Sequence, residues 1–125
     1  MKYLVLAISL LLIPVSSFAA DEPQHVMEVI VIDVNGNNAK YQELFDRFSA
    51  AYTKAGSVGE RRMWGAGYAG PNTGSIYTTI EYPSMKALVE SNEAVFASKG
   101  YQAVSADFAA AGMTVESRSI LFNAR

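Results

Sequence analysis

The side chains best equipped for chemistry lie on segments that alternate as strands do. Arg62 and Trp64 are two residues apart in RRMWGAGY, Tyr77 and Glu81 share one parity of SIYTTIEY, and Arg118 stands between Ser117 and Ser119. A guanidinium holds a carboxylate or phenolate through parallel hydrogen bonds, while an indole or phenol offers a broad apolar wall with one polar hydrogen. Arg62, Trp64, Tyr77, Glu81 and Arg118 are therefore the candidate ligand-binding residues. The ligand they suit is an apolar or aromatic small molecule carrying an acidic or phenolic group. Each also has a plainer use: charges inside strand patterns pair with one another when buried, and Trp64 fills a core or a dimer contact.

Other chemistry finds no support, and no residue is marked as catalytic. His25, the sole histidine, stands at the start of the first strand, and the chain has no cysteine, so a zinc site lacks its usual ligands. Ser117 and Ser119 share a strand face with no histidine after them to activate either. The glycines around Pro71 do not lead directly into a helix, as a phosphate-cradling loop does. Neither a cofactor nor a metal is expected. A formal net charge of -2 argues against nucleic acid, which requires a cationic face. Arg61 and Arg62 are adjacent but point to opposite faces of any strand that holds both.

Residues 1–19 read as a secretory signal peptide: Lys2, an apolar run from Tyr3 to Val15, then small residues ending at Ala19, with Ala20 the next best cleavage point. A retained anchor is the competing reading, but the run is short for a ~30 Å hydrocarbon layer and contains Pro14. Residues 20–125 then form one domain, secreted or periplasmic and free of the membrane. With no cysteine to staple it, so small a domain gains from any apolar surface it can bury against a copy of itself.

The elements that must position the candidate residues follow from periodicity. Val26 to Val34 is rich in β-branched residues, broken by Glu28, and reads as a central strand. Tyr41, Leu44, Phe45, Phe48 and Tyr52 form the apolar stripe of a helix over 39–55, which Gly56 ends. A strand over 60–68, weakened by Gly65 and Gly67, reads as an edge with a bulge or a close backbone approach. The loop 69–74 leads to a strand over 75–82, Ser84 caps a helix reaching about Ser98, Lys99-Gly100 breaks it, and a short helix continues to Gly112. Residues 113–122 form the last strand, with Val115, Ser117, Ser119 and Leu121 on one face and Thr114, Glu116, Arg118, Ile120 and Phe122 on the other.

The order strand, helix, strand, strand, helix, strand predicts an α+β, ferredoxin-like βαββαβ fold. Its four-stranded antiparallel sheet carries helices on one face, with the first and third strands central. The second face also bears large apolar groups, and a homodimer of two facing sheets would cover them.

The stretch from Tyr68 to Phe122 resembles the dimeric α+β barrel superfamily, which includes antibiotic-biosynthesis monooxygenase-like, NIPSNAP-like and stress-responsive barrel proteins. The resemblance rests on Tyr77, on Glu81-Tyr82-Pro83-Ser84 before the second helix, on Tyr101, and on Glu116-Ser117-Arg118-Ser119 in the last strand. It implies a barrel closed by two copies. For activity it implies either cofactor-independent oxidation of phenols in a cavity between sheet and helices or, in haem-degrading relatives, an asparagine, tryptophan and histidine set that only Trp64 echoes here. Three functions follow: an exported small-molecule-binding barrel, a cofactor-independent monooxygenase acting on a phenolic or quinone-like substrate, and a structural or partner-binding dimer.

Overall fold

Alternation in the first strand decides which side of the sheet becomes the core. In the computed structural model, which describes residues 24–67 and 70–124, β1 (Val26–Asp33) buries Val26, Glu28, Ile30 and Ile32 toward the helices. The predicted leader and Tyr68 lie outside the described residues. Along the chain follow α1 (Asn38–Lys54), β2 (Glu60–Gly65), a single 3-10 turn (Gly70–Asn72), β3 (Ile76–Tyr82), α2 (Met85–Ala97), α3 (Lys99–Ala110) and β4 (Thr114–Phe122). The sheet has four strands in the order β2-β3-β1-β4, with every neighbouring pair antiparallel. This is the ferredoxin-like topology, with β1 and β3 central as their apolar content requires.

Helix ends follow their capping chemistry. The Asn37 side chain accepts from the Lys40 amide at 3.0 Å, and that of Ser84 accepts from the Ala87 amide at 3.1 Å. One difference concerns the break between the last two helices. It falls at Ser98, which ends α2 in an extended conformation and starts α3, its hydroxyl accepting from the Tyr101 amide at 3.3 Å. Lys99 and Gly100 belong to α3 because a serine cap opens a helix more strongly than a glycine at its second position resists one.

The core lies between the helices and one sheet face. Tyr41, Leu44 and Tyr52 of α1, Leu88 and Val95 of α2 and Val104 of α3 meet Val26, Ile30, Ile32, Ile80 and Tyr82 there. Among the described residues no helix covers the other face over Trp64, which is 51% exposed, or over Leu121, which is 55% exposed. Val31 and Thr79 are nonetheless buried on that side, and the Trp64 indole donates to Thr79 Oγ1 at 2.8 Å. Charges gather at one corner, where Arg62 reaches Glu60 at 2.7 Å and Glu81 at 3.7 Å. β4 is exposed along its whole length.

Two strand details differ from expectation. β2 ends at Gly65, and a Cβ at Gly65 or Gly67 would touch nothing, so these glycines mark neither a bulge nor a close approach. The irregularity sits instead between β1 and β4, where the register shifts between Val31 and Ile32: Val31 pairs Ser117 while Ile32 pairs Val115. An extra residue in one strand reverses the parity of everything beyond it. Val115 therefore faces the same side as Arg118, rather than the side of Ser117 and Ser119.

Candidate functional site

Between sheet and helices the packing leaves a half-enclosed cavity of about 100 Å³. Its floor is Ile30 and Ile32 of β1, Thr78 of β3, Arg61 of β2, and Val115 and Arg118 of β4. Its walls are Tyr41, Phe48 and Tyr52 from α1 and Tyr101, Ser105 and Phe108 from α3. The rings hold one another edge-on or tilted: Phe48 meets Tyr101 at 5.5 Å and Phe108 at 6.2 Å, Tyr52 meets Tyr101 at 6.1 Å, and Tyr41 meets Phe108 at 6.3 Å. Such contacts fix ring orientation, so the walls are preformed.

Two guanidinium groups interrupt this aromatic lining. Arg61 is stacked beneath α1, its Cζ 4.3 Å from the Tyr52 ring centroid and 5.2 Å from that of Phe45, and its Nε donates to Ser49 Oγ at 3.2 Å. Arg118 comes from the opposite edge of the sheet. Its Nε lies 2.5 Å from Glu28 Oε1, and its Cζ is 5.3 Å from the Phe96 centroid. Glu28 is 2% exposed, and its second oxygen, Oε2, is buried without a hydrogen-bond partner.

Burial holds three phenols on the helix side of the sheet protonated. Burial raises the Tyr52 phenol well above its ordinary range, with Arg61 opposing the rise. Tyr41 is raised by burial and lowered in part by its hydrogen bond to Thr78 Oγ1, at 2.6 Å. Tyr82 is pushed up to about 12, first by burial and then by the charge of Glu28. Removing water penalises each phenolate more than the phenol.

The five candidate residues do not converge on this cavity. Arg118 lines it, whereas Arg62, Trp64, Tyr77 and Glu81 stand on the other face of the sheet, as the register of β2 with β3 requires. Trp64 and Tyr77 border a shallow depression of about 490 Å³ with Met27 and Thr79, which has no far wall among the described residues. Glu81 lies beside His25, Met27 and Leu121 in a second surface hollow. Trp64 is thus remote from any helix-side pocket and cannot play the part that the haem-degrading resemblance implies. Among the described residues, no group of three or more His, Cys, Asp or Glu side chains converges as metal ligands do.

The site residues that sequence reasoning missed are Arg61 and the α1 rings, with Glu28 behind the lining as the ion partner of Arg118. Tyr41, Phe48 and Tyr52 read as a packing stripe, which they also are. Arg61 carried a usable signal: it shares strand parity with Met63, so a cation was directed at the core side. Glu28 likewise shares parity with Ile30 and Ile32.

No known protein-family model matches the chain, and no curated protein matches its sequence. Similarity is found among solved structures. A point variant of SnoaB, a cofactor-independent oxygenase from Streptomyces nogalater, superposes with a TM-score of 0.59 at 15% identity, covering 81% of this chain and 94% of that one. Unmutated SnoaB gives 0.57 at 17% identity, covering 82% and 94%. At this level of identity the likeness concerns the fold alone: the chain shares the architecture of a cofactor-independent oxygenase over nearly all of that protein's length.

Proposed function

We propose that this chain is a cofactor-independent oxygenase that binds a phenolic or quinone-like ring in the cavity between sheet and helices. The observation that carries this reading is the pair of guanidinium groups, Arg61 and Arg118, set into the cavity floor beneath aromatic walls. An electron-rich substrate anion can itself supply electrons to dioxygen. The protein then has to orient that anion and stabilise its charge, which fixed cations in a dry site do well. The shared architecture with SnoaB supports the same assignment.

The size of the cavity narrows the substrate. An apolar cavity of about 150 Å³ takes benzene, so one of about 100 Å³ with an open side suits a single ring whose substituents project outward. Fused polycycles would require α3 to move.

The barrel is completed by a second copy. The uncovered face with Trp64 and Leu121 is the surface that a facing sheet would bury. Export through the N-terminal leader remains part of this reading, carried by the residue pattern of 1–19.

A binding protein without turnover is the second reading, favoured by the absence of histidine from the cavity lining. Oxygen uptake with a panel of hydroquinones and monocyclic phenols separates the two. Consumption of oxygen that depends on Arg61 and Arg118 supports the oxygenase; saturable binding with no uptake supports the binder.

A further inference from the structure

We propose that Arg61 is the anion-binding group of the helix-side cavity, and that the ligand it selects is a single aromatic ring carrying one carboxylate. The inference rests on the cavity being a ligand site and deepens that reading: it assigns the ligand's charge and the group that takes it, whether or not turnover follows.

Charge is the first observation. Arg61 and Arg118 both line the cavity, and the lining holds no carboxylate. Arg118 is neutralised from behind the lining, its Nε 2.5 Å from Glu28 Oε1. Every other ion pair of the described residues joins groups other than Arg61. Tyr41 and Tyr52 are held as neutral phenols by burial, so neither supplies the missing counter-charge. The cavity is thus left with the positive charge of Arg61 uncompensated, which a monoanion would balance. A second carboxylate on the ligand would find Arg118 already matched by Glu28.

The free donors of Arg61 are the second observation. Its Nε donates to Ser49 Oγ at 3.2 Å, and its terminal nitrogens have no hydrogen-bond partner among the described residues. Those nitrogens present parallel N–H bonds that match the paired oxygens of a carboxylate, whereas a phenolate offers a single oxygen. The group is also held in place. Its Cζ lies 4.3 Å from the Tyr52 ring centroid and 5.9 Å from that of Phe48, and both rings are cavity walls.

Exposure suits the same role. Arg61 is half-buried, so it escapes the full cost of an unpaired interior charge. It is still withdrawn enough for an anion beside it to gain more than at an open surface, where exposed pairs contribute little. The walls supply the rest of the selection: Phe48, Tyr101 and Phe108 enclose about 100 Å³, room for one ring.

The test is titration calorimetry of the chain at neutral pH with benzoate, its neutral counterpart benzamide, and the dianion isophthalate. Benzoate should bind at least about tenfold more tightly than benzamide, and isophthalate more weakly than benzoate. Arg61→Met should still bind benzamide but lose the preference for benzoate, and Arg61→Lys, which keeps the charge without the paired donors, should retain part of it. Glu28→Gln should free Arg118 and reverse the order of isophthalate and benzoate. Equal binding of benzoate and benzamide by the native chain, or a benzoate preference that survives Arg61→Met, would overturn the assignment. Equal loss of both ligands in Arg61→Met would show a packing role and overturn it too, and an unchanged order in Glu28→Gln would overturn the charge count. Binding of none of these rings by the native chain would overturn the cavity reading itself and this inference with it. Should Arg61→Met or Glu28→Gln fail to fold, the ligand order of the native chain and of Arg61→Lys decides.

Discussion

The guanidinium of Arg61 lies 4.3 Å from the ring centroid of Tyr52, so a cation from the edge strand β2 is roofed by the helix that forms the core. This contact joins the two halves of the proposed site. It sets a charge beside the cavity and supplies packing where an unpaired charge would be costly. Replacement by methionine tests both roles. Arg61→Met should weaken phenolate binding at least about tenfold through loss of a charge-assisted contact. It should lower stability by only about 1 kcal/mol, the scale of a cation–π contact, as measured by urea unfolding alongside a binding titration.

Gly59 and Gly100 make opposite predictions. A Cβ at Gly59 would fall 2.6 Å from Ile80 Cγ2 and 2.6 Å from the Tyr82 ring, and both residues are fully buried. Gly59→Ala should therefore destabilise by about 1–3 kcal/mol through overpacking. At Gly100, inside α3, a Cβ would meet the Ala51 Cβ at an ordinary 3.6 Å. Gly100→Ala should stabilise by about 0.5–1 kcal/mol through helix propensity. Denaturant midpoints of the two variants, compared with that of the native chain, check the pair.

Tyr82 ties stability to alkaline pH. Its phenol is pushed up to about 12 in the folded chain, against an ordinary value of 10.0. Between these values the unfolded chain has lost a proton that the folded chain keeps, so unfolding is favoured by rising pH. The contribution is fully present below pH ~10 and is lost as pH climbs toward ~12. The shifts of Tyr41 and Tyr52 act in the same direction. Unfolding free energy measured across this window should fall with pH, and Tyr82→Phe should flatten the fall while deleting the 3.3 Å hydrogen bond to Asn92.

Trp64 is the chain's sole tryptophan and is half exposed on the uncovered face. If two sheets meet there, its emission should shift to the blue as concentration rises, in step with a doubling of mass in sedimentation. Leu121→Glu, which places a charge on the same face, should hold the chain monomeric and keep the emission red-shifted. Monomer mass for the native chain at low micromolar concentration, with unchanged emission, would remove the second copy from the proposal.

Much of the architecture was legible because it depends on short-range patterns. The β-branched run of β1, the stripe from Tyr41 to Tyr52 and the cap at Ser84 act over a few residues, and each element appears within a few residues of its predicted place. Periodicity also separated Arg61 from Arg62, and Ile76, Thr78, Ile80 and Tyr82 from Tyr77 and Glu81. What it could not assign was which parity would meet the helices in β2 and β4. The five candidate residues were accordingly gathered as one site, although Arg118 and the other four belong to opposite faces.

Composition and periodicity by themselves determined a βαββαβ chain with two central strands and helices on one side, because backbone hydrogen bonding and amphipathic burial are local constraints. Tertiary structure alone decided that Arg61, Arg118 and Glu28 share a side with the aromatic stripe. It also placed a one-residue shift between Val31 and Ile32 that turned Val115 toward them. The reason is physical: the face on which a strand residue lands depends on pairing with a partner distant in sequence, and one unpaired residue in that pairing reverses the assignment beyond it.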